Sequence, residues 1–319
     1  MHFSKETLAL LDQVNQLYPG SIVLRGSGED SGILKHDQVS TSMLGPRMAI
    51  EVNDLTAADV LATDELLHIM LSLNGYPQLF FQLAVEKDES LTEQMMVMTS
   101  YLYQPVIHSI IYREQAKHGQ LTGKVIQAYL RGVADTLEPE QGDDMAQAAL
   151  RVMVLLDARV FLAAAEAESD GEHLEASYPL AWQAAGRLYQ TMDSENITDP
   201  FTMHRAIEAV FSGFDEQMAD WKLPLLNAKE FVTVTPVLSQ RQLRLKVNQV
   251  FDIKHVPFTV RDTNQAAYVG LNKADKQNSF VLPTPDGEQQ AFFLAFYQMT
   301  VQDLFAQLKQ PYTVRESKA

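Results

Sequence analysis

The feature that most constrains this chain is a change of texture at Leu223-Pro224. Before it, helical patterns follow one another over 121–137, 144–168, 175–192 and 200–221, with apolar residues recurring every three or four positions. After it the runs shorten and become strand-like: EFVTVTPVL, PFTVRD, AAYVGL, NSFVLP and QAFFLAFYQM, with Pro285-Asp286-Gly287 as a turn joining the last two. The stretch SQRQLRLKVNQVF at 239–251 reads as one helix among them, and TVQDLFAQLK as a terminal one. The expectation is an α+β chain with a mainly helical domain over 1–224 and a smaller α+β domain over 225–319. A chain of 319 residues is long enough for two domains at about 150 residues each. No repeat period links the helices, which argues against a solenoid.

The first part opens with a helix over 4–17 that ends at Tyr18-Pro19-Gly20, followed by a short strand, SIVLR. The segment 26–44 is rich in Gly, Ser and Asp and reads as a loop. RMAIEVND at 47–54 alternates as a second strand. A helix follows, opened by a Thr56-x-x-Asp59 capping box and closed at Asn74-Gly75-Tyr76-Pro77. Val60, Leu61, Leu67, Ile69, Met70 and Leu73 give it a broad apolar face for burial. A second capping box, Ser90-Leu91-Thr92-Glu93, opens LTEQMMVMTSYLY. Pro105 is placed in the first turn of a further helix that ends at Gly119.

Composition narrows the function. There are 25 Lys and Arg against 41 Asp and Glu, a net charge of −16, which repels phosphate backbones at long range. No Lys/Arg run with interleaved aromatics offsets it, so nucleic acid is not an expected partner. With no cysteine, disulfides, thiol catalysis and cysteine-ligated zinc are excluded, and any metal must use His, Asp or Glu. The N-terminal 20 residues carry Lys5, Glu6 and Asp12 in an amphipathic pattern, unlike a signal peptide. No window reaches the ~20 apolar residues of a membrane span. A cytoplasmic protein with no membrane partner is expected.

Within the buried helix stands Asp64-Glu65-Leu66-Leu67-His68. Asp64 and His68 are four apart, on one helical face about 5–6 Å from each other, where they can grip one ion. Glu65 occupies the position from which a carboxylate takes a proton from water at that ion. Aspartate is a legitimate ligand for zinc and, as a hard oxygen donor, also favours manganese. The plain alternative is an i, i+4 hydrogen bond or ion pair on a core helix.

A strand ending in AIEVND, a capped helix bearing DELLH and a helical continuation resemble the zincin metallopeptidases, in particular compact gluzincin-like ones, over roughly residues 45–120. The resemblance implies a zincin-like N-terminal unit, a small sheet with a mostly helical array. It also implies Glu65 as general base and His68 as the second metal-binding histidine. Asp64 replaces the first histidine of H-E-x-x-H, which makes the motif degenerate. A third ligand is then required. His108, in the apolar PVIHSIIYREQAKHG, is the first choice, ahead of Glu114, Glu86, Glu89 and Glu93.

The resulting expectation is a degenerate metallohydrolase on a peptidase scaffold. Zinc or manganese is held weakly by Asp64, His68 and His108, Glu65 serves as base, and activity is weakened or lost. Its partner is a peptide or protein. The alternative is a non-enzymatic binding or regulatory protein acting through protein contacts, with the same residues forming a metal-free polar cluster. Other features carry less. LRGSGEDSG lacks Gly-x-Gly-x-x-Gly spacing, EQMMVM reads as adaptable core packing, and no G-x-S-x-G supports serine chemistry. Asp157 and Arg159 are expected half-buried and paired with neighbouring helices.

Overall fold

The computed structural model describes residues 2–142, 145–284 and 289–315. The expected turn at Pro285-Asp286-Gly287 lies outside the described residues. The fold is mixed α+β, as the sequence indicates. It forms two compact units, each assembled from two stretches: 1–74 with 104–190, and 75–103 with 191–319. The sequence pattern suggests one division near 224; the observed partition crosses over three times.

In the first unit, α1 (Lys5–Leu17) leads to β1 (Ser21–Gly26), β2 (Val39–Leu44), β3 (Arg47–Val52) and α2 (Ala58–Leu73). The sheet order is β1-β3-β2, with β1 parallel to β3 and β2 antiparallel to it. The stretch read as a loop over 26–44 therefore contributes an edge strand. Its side chains are almost all exposed, which hides the alternation that marks a half-buried strand. Val14, Ile22, Ile50 and Leu66 join α1, the sheet and α2 in one apolar cluster.

The α2 helix is buried on most sides, and its core residues include Leu66 and Leu71, whereas Leu73 is 41% exposed. The Thr56 box does not form. Ala57 is the N-cap, Thr56 Oγ1 donates to Asp30, and Asp59 accepts from Ser4 N and Thr7 Oγ1 of α1's start. Those long-range partners take the groups that a local cap would use.

After α2, helix α3 (Glu89–Lys117) runs unbroken through Pro105 and contributes to both units. The expected break there is absent: proline removes one backbone bond, and burial of the flanking residues outweighs that loss. Its start is held by Asp88 Oδ1, which accepts from Leu91 N at 2.9 Å, and not by Ser90. Helices α4 (Gly123–Thr136), α5 (Ala148–Ala164), α6 (Glu172–Ser177) and α7 (Pro179–Asp193) complete this part. The single helix expected over 175–192 is divided at Tyr178, because a residue before proline is driven out of the helical region.

The second unit adds β4 (Leu79–Phe80), β5 (Leu83–Ala84) and α8 (Pro200–Asp220), the last opened by an Asp199/Thr202 capping box. Next come α9 (Ala228–Phe231), β6 (Thr233–Val234), β7 (Val237–Leu238), α10 (Gln240–Arg244) and α11 (Val247–Val250). The chain ends with β8 (Phe251–Val260), β9 (Ala266–Asn272), β10 (Asn278–Pro283), α12 (Gln289–Gln298), α13 (Val301–Leu308) and β11 (Thr313–Val314). The main sheet is β10-β9-β8-β5, all antiparallel.

Two readings change here. The 239–251 stretch forms two short helices and the start of β8. QAFFLAFYQM is helical, with Phe292, Phe296 and Tyr297 turned onto one apolar cluster at helical spacing. Among the described residues no helix is long and apolar enough to cross a membrane.

Candidate metal centre

The centre is assembled by the antiparallel approach of α2 and α3. Gln115 Nε2 donates to Val60 O (2.9 Å) and to Thr63 Oγ1 (3.0 Å), and Thr63 Oγ1 also lies 2.8 Å from Gln120 Oε1. These bonds fix the register. Two turns back along α3 and about one turn on along α2, His108 meets Asp64 and His68. His68 Nε2 is 3.6 Å from Asp64 Oδ2, and His108 Nε2 is 3.8 Å from Asp64 Oδ1. One ligand atom from each of the three lies within 4.8 Å of the others.

The other side of the His108 ring is held differently. Its Nδ1 is 2.6 Å from Asp157 Oδ1 of α5. Asp157 Oδ2 accepts from Tyr129 OH of α4 at 2.6 Å and from Tyr112 OH of α3 at 3.0 Å. Tyr112 OH is also 2.9 Å from His36 Nε2, which lies 3.5 Å from Asp157. Phe161 stacks on Tyr129 with ring centroids 3.9 Å apart and closes the pocket of rings from below.

These two halves differ in kind. Around Asp157 the separations are those of hydrogen bonds. Around Asp64 they exceed hydrogen-bond length, and Asp64 Oδ1, although buried, has no hydrogen-bond partner among the described residues. Ligands at about 2.1 Å around one tetrahedral ion stand about 3.4 Å apart, close to the spacing seen. A second candidate set, His36, His108 and Asp157, also falls within 4.8 Å. There His108 Nδ1 is already bonded to Asp157, whose other oxygen accepts from two tyrosines, and His36 and His108 stack face to face instead of aiming nitrogens at a common point.

Electrostatics follow from the same packing. Burial alone would raise the Asp157 carboxyl, but the charge and hydrogen bond of His108, then of His36, hold it far below the usual carboxylate range. It is therefore an anion that accepts the Nδ1–H of His108, and a ring held by that nitrogen turns Nε2 toward Asp64 and His68. Burial would lower His36, yet Asp157 and, behind it, Asp64 and Glu65 raise it to about 9. Burial drives His68 down to about 4 despite the Asp64 charge, leaving it neutral at pH 7. Glu65 is raised to about 7 by burial first and by the Asp64 charge second. A carboxyl near neutrality is suited to both accept and return a proton.

The structure thus brings Asp64, His68 and His108 together, with Glu65 in their field. The other third-ligand candidates are engaged elsewhere: Glu114 with Lys117 and His118, Glu86 with Lys87, and Glu89 with Arg261, while Glu93 is exposed. Asp157 is fully committed to the cluster, whereas Arg159 donates to Trp182 O and stacks on its ring. Sequence reasoning missed His36, Tyr112 and Tyr129. The only available signal was two tyrosines on buried apolar faces, which need a hydroxyl partner.

Compared with family models, with curated proteins and with solved structures, the chain matches none of them.

Proposed function

We propose that the first unit carries a divalent-metal centre of the metallohydrolase kind, held by Asp64, His68 and His108, with Glu65 as general base. The observation that carries this reading is the contrast across His108. Nδ1 is bonded to a carboxylate, while Nε2 faces a second imidazole and a buried, unpartnered carboxylate oxygen at ligand spacing. Carboxylate–imidazole–metal arrangements orient a ligand histidine in this way. Two imidazoles and one carboxylate make a three-ligand set of the type that leaves a fourth position open for catalysis on zinc. An ion there would acidify water and polarise a scissile carbonyl. Glu65 would take the proton of that water and return it to the leaving group. His68, whose side chain is 28% exposed, marks the side that solvent and substrate reach.

The zincin likeness of DELLH, the peptide or protein substrate and the weakened activity belong to this proposal. Replacing an imidazole by Asp64 costs zinc affinity and shifts preference toward harder ions. The test is a competition titration of the full chain with zinc and with manganese, for wild type and for Asp64→Asn, His68→Ala and His108→Ala. One-to-one binding that each substitution abolishes supports the site. Absence of binding, or binding indifferent to all three, leaves a metal-free polar cluster and favours a protein that acts through contacts alone.

A further inference from the structure

His36 lies outside the proposed ligand set, yet the fold goes to some length to place it. It sits on a segment anchored at many points within the first unit. Leu55 N donates to Glu29 O, Gly32 N to Thr56 Oγ1, and Asn53 N to Gln38 O. On the α4 side, Leu34 N donates to Ala128 O (3.0 Å), Arg131 Nε to Gly32 O (2.7 Å), and Lys35 Nζ pairs with Asp135 at 2.6 Å. Contact with α4 is so close that a Cβ on Gly132 would stand 2.1 Å from the Leu34 carbonyl oxygen. Only glycine permits that approach, two residues from His36.

The result is a ring laid over a ring. His36 stacks on His108 with centroids 4.5 Å apart and planes inclined by 28°, while its Nε2 meets Tyr112 OH. Tyr112 packs against His108 at 4.7 Å, and His68 meets its edge at 5.6 Å. His108 is therefore held through its Nδ1 bond and through its flat face, and its one remaining direction points Nε2 at Asp64 and His68.

We infer that His36 is a positioning residue of the proposed metal centre: docked on α4 through Gly132, it clamps the His108 ring and sets the centre's affinity without ligating the ion. The inference rests on the metal reading of Asp64, His68 and His108. Partners that orient a ligand histidine cost about tenfold to a hundredfold in metal affinity when removed. A clamp acting by packing and one hydrogen bond is partly replaceable, so a side chain of similar reach restores function that alanine loses.

The experiment is a zinc titration of the full chain against a chromophoric chelator, paired with urea unfolding of each metal-free protein. His36→Ala is expected to weaken zinc about tenfold to a hundredfold, and His36→Gln to recover at least half of that loss on a logarithmic scale. Gly132→Ala, which touches no member of the cluster, is expected to weaken zinc in the same direction. In a protein still folded by its urea midpoint, wild-type affinity in both His36→Ala and Gly132→Ala overturns the inference and leaves the metal site standing. Binding that survives His68→Ala but is lost in His36→Ala makes His36 a ligand and overturns it as well. If the wild type binds no zinc, the metal reading fails first and takes the inference with it.

Discussion

Asp157→Asn isolates the group on which the whole arrangement turns. The native carboxylate accepts from three donors: His108 Nδ1, Tyr129 OH and Tyr112 OH. An amide of the same shape offers one carbonyl oxygen, and its NH₂ can only donate. That NH₂ can be accommodated only by turning a tyrosine hydroxyl away from its partner or by moving the His108 proton from Nδ1 to Nε2, at a cost of about 1–3 kcal/mol. The bonds that persist lose the charge that made them about twice as strong as neutral ones, removing about 1 kcal/mol each. Relief from burying a carboxylate offsets part of this, and the net loss is about 3 kcal/mol. With a urea slope of about 2 kcal/mol/M, the unfolding midpoint of the first unit should fall by about 1.5 M.

The assay can be made specific to that unit, because the chain has two tryptophans, and Trp182, buried on α7, lies in the first unit while Trp221 lies in the second. In a Trp221→Phe background, fluorescence follows Trp182 alone. Tyr129→Phe, which deletes one of three donors and strands no partner, should cost only about 1 kcal/mol. An Asp157→Asn midpoint within about 0.3 M of its parent would show that the carboxylate does not organise the cluster, and would refute the reasoning.

Glu65→Gln should keep metal affinity within a fewfold of wild type while lowering hydrolysis of a peptide library about 10²–10⁴-fold, measured by mass spectrometry of cleavage products. Asp64→His should tighten zinc and reduce the preference for manganese, read in the same competition titration. In the metal-free protein, His36 has its pKa raised from 6.5 to about 9. Its stabilising contribution is therefore complete below pH 6.5 and lost as pH rises through 9. Between pH 4 and 7 the raised Glu65 and the lowered His68 act in opposite directions, so the clean window is pH 7 to 9. Urea midpoints should decline across that window in wild type and less steeply in His36→Gln.

What the sequence disclosed was what local pattern can carry. The 4–17 helix, the strands at 21–26 and 47–52, and the end of α2 at Asn74 are all written in caps, alternation and turn residues near the element itself. The Asp64/His68 pair follows from helical spacing, and the choice of His108 from a polar group among isoleucines and valines. What it could not disclose depends on distant partners. The Thr56 box is undone by Asp30 and by α1, and β2 is identified by pairing with β3, not by its own exposed side chains. QAFFLAFYQM is too uniformly apolar to reveal a period, and only packing against its cluster decides for a helix. Asp157 reaches His108 from helix α5, Tyr129 reaches Asp157 from α4, and His36 stacks on His108 from the β1–β2 connection. No short motif spans such separations.

The central claim is that Asp64, His68 and His108 surround one ion, and zinc-edge X-ray absorption on the full chain loaded with one equivalent of zinc tests it most directly. The account expects nitrogen and oxygen neighbours at about 2.0–2.1 Å, with the outer-shell scattering of two imidazoles. It also expects one of those imidazoles to be lost in His68→Ala. A shell of six oxygens without imidazole scattering, or a spectrum unchanged by His68→Ala, would contradict it.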